Sequence, residues 1–333
     1  MVKTGLDCRG GGRRGCRLAV LTKASSQAAP VIKALQNPTE TRPRAALAMD
    51  NPPVSCLPTN AKMSKAKKTI DEARAINNPE LDLCDKGIAN FEEMPGLLNM
   101  LNISRLTLTH NKIRVVPPSL ANLINLEILN LFNNQIEELP TSLSSMPKLR
   151  ILNVGMNRLN VLPRGFGAFP ALEVLDLTYN NLNEKTLPGN FYMLETLRAL
   201  YLGDNDFEYL HSDIRNLKNL QILVLRDNDL IEIPKEIGEL TRLRELHIQA
   251  NRLTLLPPEI GNLDFTSEKS EFRLHLNNWV TPIEDQLQTG IPRLMDYIRS
   301  DIYKFLYERQ IQIKSPPPDK IVDKSKKLSR LRS

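Results

Sequence analysis

Apolar residues recur through the middle of the chain at fixed distances from a series of asparagines. Apolar residues stand eight, five and three positions before each asparagine, and in most copies two and five positions after it. The asparagines are Asn111, Asn134, Asn157, Asn180, Asn205, Asn228 and Asn251. Their separations of 23, 23, 23, 25, 23 and 23 residues predict a solenoid of stacked coils.

The full frame is L-x-x-L-x-L-x-x-N-x-L-x-x-L-P-x-x-L-x-x-L, which is typical of leucine-rich repeats. Its L-x-L pair predicts a short strand whose two leucines point inward while the residue between them points to the opposite face. Stacked strands make a curved parallel sheet on the concave side, and the Leu-Pro pair suits an irregular or short helical turn on the convex side. We therefore predict an α/β fold, a leucine-rich-repeat solenoid of about eight coils over residues 81–271.

The leucines, prolines and asparagines of the frame are assigned to structure. Each asparagine follows a strand, where its side-chain amide can satisfy backbone groups that the turn leaves unpaired inside the ridge. Function is therefore expected at the positions that the frame leaves free.

Helical caps are predicted at both ends of the solenoid. Residues 63–80 are expected to form the N-terminal cap, with Ile70, Ala73 and Ile76 on one face. Residues 272–313 are expected to form the C-terminal cap, which begins with a strand and continues with helices. The apolar residues expected to close that end are Leu294, Ile298, Ile302, Phe305 and Leu306.

Both termini of the chain are predicted to be disordered. Residues 314–333 contain three consecutive prolines and many lysines, which predicts a solvated tail. Residues 1–62 carry ten Lys and Arg against three acidic residues, whereas the rest of the chain has 34 basic and 35 acidic residues. A basic, nucleic-acid-binding repeat domain is therefore not indicated. We interpret residues 1–62 as an upstream reading-frame extension; the alternative, a mitochondrial transit peptide, fits poorly with their glycine triplet and prolines.

Cysteine usage indicates a reducing compartment. Three of the four cysteines lie within the first 62 residues, and the fourth, Cys84, lies in the repeat region. Extracellular leucine-rich repeats usually close their ends with disulfides, which a single cysteine cannot form. The sequence also lacks a run of 18 apolar residues, so we expect a cytoplasmic protein without membrane insertion.

The concave face is the predicted binding surface. Positions between and just after the strand leucines mix aromatic, acidic, amide and arginine side chains, and Tyr and Arg are enriched among interface hot spots. The predicted partner-binding residues are Phe132, Asn153, Asp176, Tyr179, Tyr201, Asp204, Arg226, Asp227 and His247. The alternative is a generically polar sheet face with incidental aromatic residues.

Signals for catalysis are weak. His110 and His247 lie six coils apart without neighbours at metal-ligand spacing. The sequence has neither a glycine-rich phosphate loop after a strand nor a nucleophile elbow. We predict a protein that is not an enzyme and uses no cofactor or metal.

Several stretches resemble one family in detail, the Ras suppressor family of intracellular leucine-rich-repeat proteins. They are FNNQIEELP at 132–140, GMNRLN at 155–160, LDLTYNNL at 175–182, LRDNDL at 225–230 and WVTPI at 279–283. The resemblance covers about residues 63–333, while residues 1–62 have no counterpart and Asn278 replaces a proline of the family pattern.

The resemblance implies a non-catalytic adaptor at cell-matrix adhesions. Such a protein binds a LIM domain of a PINCH-type protein, thereby joins the assembly of ILK, PINCH and parvin, and modulates Ras and MAP-kinase signalling. One alternative is a leucine-rich-repeat scaffold that binds a Ras-type GTPase or a protein phosphatase directly. Another is an enzyme with an appended catalytic segment, for which the C-terminal stretch is too short and too poor in nucleophiles.

Overall fold

The computed structural model describes residues 60–313 and 315–320. The predictions made for residues 1–59 and 321–333 therefore lie outside the described residues. Residues 60–62, which were predicted to be disordered with the rest of the extension, belong to the first helix of the structure.

Nine short parallel strands form a single sheet whose spatial order follows the chain. The strands are β1 (Glu80–Asp82), β2 (Arg105–Thr107), β3 (Ile128–Asn130), β4 (Ile151–Asn153), β5 (Val174–Asp176), β6 (Ala199–Tyr201), β7 (Ile222–Val224), β8 (Glu245–His247) and β9 (Glu271–Arg273). Equivalent leucines pair across neighbouring strands, as Leu129 does with Leu152. The strands are parallel because each coil returns over the convex side before the next strand begins. The predicted fold class is confirmed.

The core is a continuous apolar ridge beneath this sheet. Leu129 and Leu131 are fully buried, and each such leucine contributes roughly 1.5–3 kcal/mol when neighbouring coils cover it. Short 3-10 turns such as Thr141–Ser145 close the ridge on the convex side. Pro140 precedes that turn with φ −72°, a value that the proline ring adopts without strain.

The asparagines form a ladder that joins each coil to the preceding one. The Ile113 N–H donates to Asn134 Oδ1 at 3.0 Å, while Asn134 Nδ2 donates to the carbonyls of Leu108 at 2.9 Å and Leu131 at 3.0 Å. The ladder has an eighth member, Asn277, whose Nδ2 donates to the Leu274 carbonyl at 2.8 Å. Asn277 was not predicted from the sequence, because an insertion before β9 places it 26 residues after Asn251.

Helix α1 (Asn60–Ala75) covers the first coil. Its face toward the core consists of Ala66, Ile70 and Ala73, which are all buried. The inclusion of Ile76 in that face was wrong, since Ile76 follows the last helical residue and is 75% exposed.

Three helices cap the C-terminal end, namely α2 (Thr281–Thr289), α3 (Ile291–Arg299) and α4 (Asp301–Ile313). Leu294 and Ile298 are fully buried, as expected, but Ile302 and Phe305 are 74% and 69% exposed. Extended backbone at Ser300 separates α3 from α4, so the apolar spacing of α3 does not continue into α4.

Tyr303 closes the core from α4 instead. Its ring is fully buried, and its hydroxyl donates to the Leu256 carbonyl at 2.5 Å and accepts from the Leu256 N–H at 3.0 Å. Residues 315–320 are mostly exposed, in line with the prediction of a solvated tail, but Pro318 and Lys320 contact side chains of the repeat coils.

Candidate functional site

The concave face carries four columns of outward residues, each with one member from each of the seven coils that contain β2 to β8. The strand-start column consists of Arg105, Ile128, Ile151, Val174, Ala199, Ile222 and Glu245. The strand-end column consists of Thr107, Asn130, Asn153, Asp176, Tyr201, Val224 and His247. The exit column consists of Thr109, Phe132, Gly155, Thr178, Gly203, Arg226 and Gln249. The rim column consists of His110, Asn133, Met156, Tyr179, Asp204, Asp227 and Ala250.

The structure gathers all nine predicted binding residues on the last three of these columns. Eight of them are half-buried, and Asn153 is buried at 4% exposure. Whether they contact a partner stays a prediction.

Part of the strand-end column also has a structural role. The Oδ1 atoms of Asn130, Asn153 and Asp176 accept from the backbone N–H two residues ahead, at 3.1, 2.9 and 2.9 Å. These bonds end each strand with an Asx turn. Burial raises the pKa of Asp176, against the opposing effect of its hydrogen bonds with Thr178. Asn153 and Asp176 are therefore less available to a partner than the sequence suggested.

The strand-start column was not among the predicted binding residues. Its apolar members form a buried layer at the base of the concave face, which we call the apolar floor. Ile151, Val174, Ala199 and Ile222 are each at most 4% exposed and form, with Val224, a cluster separate from the main core. Tyr201 and Ile128 pack against this cluster. The signal was present in the sequence as an apolar residue directly before the first strand leucine of these coils.

Two glycines in the exit column let large side chains lie across neighbouring coils. A Cβ atom on Gly155 would stand 3.2 Å from Phe132 Cδ2, and one on Gly203 would stand 3.1 Å from Arg226 Cγ. Phe132 and Arg226 therefore lean toward each other from either side. We call the part of the face between them, over Gly155, Thr178 and Gly203, the dip.

The rim column has left-handed backbone throughout. Its φ values lie between 54° and 60°, a region that Asn and Asp tolerate better than other side chains. Met156 at 54° and Tyr179 at 60° lack a polar group that could relieve the strain locally. Ala250 and Leu276 share this φ and also lack such a group, so the strain comes from the repeat itself. Met156 and Tyr179 differ in that the repeat holds their large side chains beside the dip, where they form a candidate contact surface.

Charge is concentrated on the C-terminal side of the dip. Arg226 contacts Asp204 at 2.8 Å and Asp227 at 2.7 Å, so its guanidinium is held over the rim. On the opposite side, the His110 and Phe132 rings meet edge to face at 5.8 Å. The dip is thus aromatic at one end and charged at the other.

Beyond the dip, the last two strands bring together a cluster that sequence spacing did not reveal. Ligand atoms of Glu245, His247 and Glu271 lie within 4.8 Å of one another, an arrangement that could hold a metal ion. However, Arg273 Nε donates to Glu271 Oε1 at 2.6 Å. Burial lowers the pKa of His247, and Arg273 lowers it further against the opposing effect of Glu271. We therefore interpret the group as an ionic cluster rather than a metal site.

Comparison with known proteins identifies the repeat family first. A model described as "Leucine rich repeat" matches residues 101–159, and one described as "Leucine-rich repeat region" matches residues 156–278. Human Ras suppressor protein 1 is 65% identical over 269 residues, which cover 80% of this chain and 97% of the human protein. The chain belongs to the Ras suppressor family of leucine-rich-repeat proteins.

Two further members of the Ras suppressor family match over the same shares, the bovine protein at 66% identity and the mouse protein at 62%. Among solved structures, a leucine-rich-repeat protein of Leptospira interrogans has a TM-score of 0.55 at 29% identity, covering 66% of this chain and 61% of its own. The ectodomain of the Arabidopsis receptor kinase HAESA has a TM-score of 0.53 at 28% identity, covering 63% and 36%. Throughout residues 60–313 and 315–320, the helices are too short or too polar to cross a membrane.

Proposed function

We propose that this member of the Ras suppressor family is a non-catalytic adaptor whose concave face binds a LIM domain of a PINCH-type protein. The observation that carries the proposal is that two large side chains of the rim, Met156 and Tyr179, lie beside the dip between Phe132 and Arg226. Aromatic and arginine side chains around a desolvated centre are typical of interface hot spots.

The size of the face supports a folded domain as the partner. Nine strands about 4.8 Å apart span roughly 38 Å, enough to bury about 800 Å² on each partner. A small molecule would need a deeper and more enclosed pocket. The buried apolar floor holds the strands together beneath the contact surface, so binding needs little rearrangement of the backbone.

The family resemblance supplies the biological setting of the proposal. Through the LIM partner, the protein joins ILK and parvin indirectly, acts at cell-matrix adhesions in the cytoplasm and links them to the actin cytoskeleton. The relatives' name, Ras suppressor protein 1, supports a role in Ras and MAP-kinase signalling. In this role the protein turns over no substrate.

The test is co-precipitation of purified full-length chain with a PINCH-type LIM fragment. R226E reverses the charge at one end of the dip, and Y179N removes the ring at the rim in favour of a residue that tolerates the same φ. Each is expected to weaken binding at least about tenfold, the effect of losing one hot-spot contact. R215E, on the exposed convex turn Ser212–Asn216, is the matched control and should bind normally.

Retained binding in R226E and Y179N, with unchanged melting temperatures, would rule out this surface. A parallel pull-down uses a GTP-loaded Ras-type GTPase and a protein phosphatase. Capture of either one, with no capture of the LIM fragment, would favour the direct-scaffold alternative.

A further inference from the structure

A second contact surface lies on the flank of the solenoid, beside the asparagine ladder. Here Glu208, Asp229 and Arg252, from three successive coils, form a group that we call the flank site. Asp229 is 6% exposed and Arg252 is 9% exposed. Polar groups this deeply covered are normally paired with another group.

The pairing groups come from the chain's own C-terminal segment. Two residues of the segment 315–320, Pro318 and Lys320, contact the flank site. Arg252 Nε donates to the Pro318 carbonyl at 2.6 Å, and a second guanidinium nitrogen, Nη2, contacts the same oxygen. Two residues later, Lys320 Nζ lies 2.5 Å from Glu208 Oε1 and 3.8 Å from Asp229 Oδ2.

These contacts bind two features of an extended peptide, a backbone carbonyl and a lysine ammonium. The guanidinium fork binds the carbonyl of the last residue in a run of three prolines, and the two carboxylates bind a lysine ammonium two residues further on. The bond with Glu208 raises the pKa of Lys320, as expected for an ammonium held by an acid. Three consecutive prolines at 316–318 stiffen the segment, so little chain entropy is lost when it docks.

We propose that the flank site is a binding site for extended peptides of the pattern Pro-x-Lys, and that residues 315–320 occupy it as an intramolecular ligand. Because the tail belongs to the same chain, its effective concentration at the flank site is on the order of millimolar. The tail therefore stays bound even if its intrinsic affinity is modest. A peptide of the same pattern from another molecule binds when the tail is displaced. This site is separate from the concave face, and its test does not depend on the LIM proposal.

Docking of the tail is measured first, by trypsin cleavage of the full-length chain. Trypsin must take the Lys320 side chain into its own pocket, so the bond after Lys320 is protected while the ammonium contacts Glu208. In E208Q/D229N, cleavage at that bond is expected to accelerate about tenfold, whereas E239Q, on the exposed face of the Lys235–Glu239 turn, should match the unmodified chain. Mass spectrometry follows the cleavage. Equal cleavage rates in the unmodified chain, E208Q/D229N and E239Q would overturn the proposal.

Recognition of a peptide is measured second, by fluorescence anisotropy. The probe is a labelled peptide with the sequence of residues 314–322, KSPPPDKIV. It should bind full-length K320E, whose own tail is weakened, at least about fivefold more tightly than the unmodified chain. Adding R252Q to K320E, or replacing the final lysine of the peptide by alanine, should reduce binding about tenfold. Absence of binding to K320E, or binding that R252Q leaves unchanged in a protein with normal melting, would also overturn the proposal.

Discussion

The backbone N–H of Tyr179 donates to the Gly203 carbonyl of the next coil at 2.9 Å, while Tyr179 itself is held at φ 60°. Tyr179 thus makes a hydrogen bond to the next coil and has left-handed backbone at the same time. The coil geometry therefore imposes a conformation that a tyrosine does not favour. Asn133 and Asp204 hold the equivalent position with less strain.

Replacement of Tyr179 by asparagine should therefore separate stability from binding. Left-handed backbone costs a residue without a local hydrogen bond roughly 1–2 kcal/mol, and part of this is recovered in Y179N. We expect the free energy of unfolding to be unchanged or to rise by up to about 1 kcal/mol in denaturant titrations, while partner binding weakens. Y179F keeps both the ring and the strain and serves as the control. A loss of stability beyond about 1 kcal/mol in Y179N would contradict the strain argument.

Removal of a ladder amide should destabilise the whole solenoid. Asn180 is fully buried, its Oδ1 accepts from the Leu159 N–H at 2.9 Å, and its Nδ2 donates to the Leu177 carbonyl at 3.0 Å. N180A leaves buried backbone groups unpaired, at about 1–3 kcal/mol for each. We expect a loss of at least about 2 kcal/mol in urea unfolding. N160A, at an exposed position of the preceding coil, should change stability by less than about 0.5 kcal/mol.

A glycine pair tests the packing of adjacent convex turns. A Cβ atom on Gly167 would stand 1.7 Å from the Asn190 carbonyl oxygen, whereas one on Gly189 would meet nothing within 4 Å. G167A must push two coils apart and should lower the unfolding free energy by about 1–3 kcal/mol, as overpacking does. G189A should be neutral. Equal melting temperatures for the two variants would show that the turns are looser than the structure indicates.

The pH dependence of stability tests the carboxyl of the half-buried residue Asp176. Burial raises its pKa, so the folded state holds the proton to a higher pH than the unfolded state does. This carboxyl therefore reduces stability as the pH rises through the interval between its ordinary pKa and its folded pKa. D176N places an asparagine where the preceding strand has Asn153 at the equivalent position. This variant should be more stable than the unmodified chain at pH 7.

That advantage should shrink as the pH falls toward the ordinary pKa of an aspartate. Guanidinium titrations at a series of pH values measure both curves. If the two proteins keep a constant difference in unfolding free energy from pH 7 to pH 4, the interpretation of Asp176 is wrong.

Tyr303 tests the closure of the C-terminal end. Its hydroxyl both donates to and accepts from Leu256, so Y303F leaves a buried N–H and a carbonyl without that partner. We expect a loss of about 2 kcal/mol in chemical unfolding. F305A changes a side chain that is 69% exposed and should cost much less. The opposite ranking would restore the original assignment of Phe305 to the core.

The sequence by itself determined the repeat, its period and the inward leucines, because every coil buries the same positions against equivalent neighbours. It also indicated the family, through stretches such as 132–140 whose residues the generic repeat does not dictate. The regular spacing of the repeat also identified which residues face the concave side. The same regularity fails where coils differ in length, and so Asn277 was missed after a 26-residue interval. The apolar floor was missed for another reason, since Ile151 and Val174 are buried by neighbouring coils on the outward face, where a single strand predicts exposure.

Tertiary structure decided which of the free residues are available and how they are held. The left-handed rim that strains Tyr179, the glycines that let Phe132 and Arg226 lean together, and the gathering of Glu245, His247 and Glu271 each depend on contacts between coils. The tail is the clearest case. A lysine-rich, proline-rich segment is expected to be solvated, but Arg252 and Glu208, which are far away in sequence, provide partners for Pro318 and Lys320.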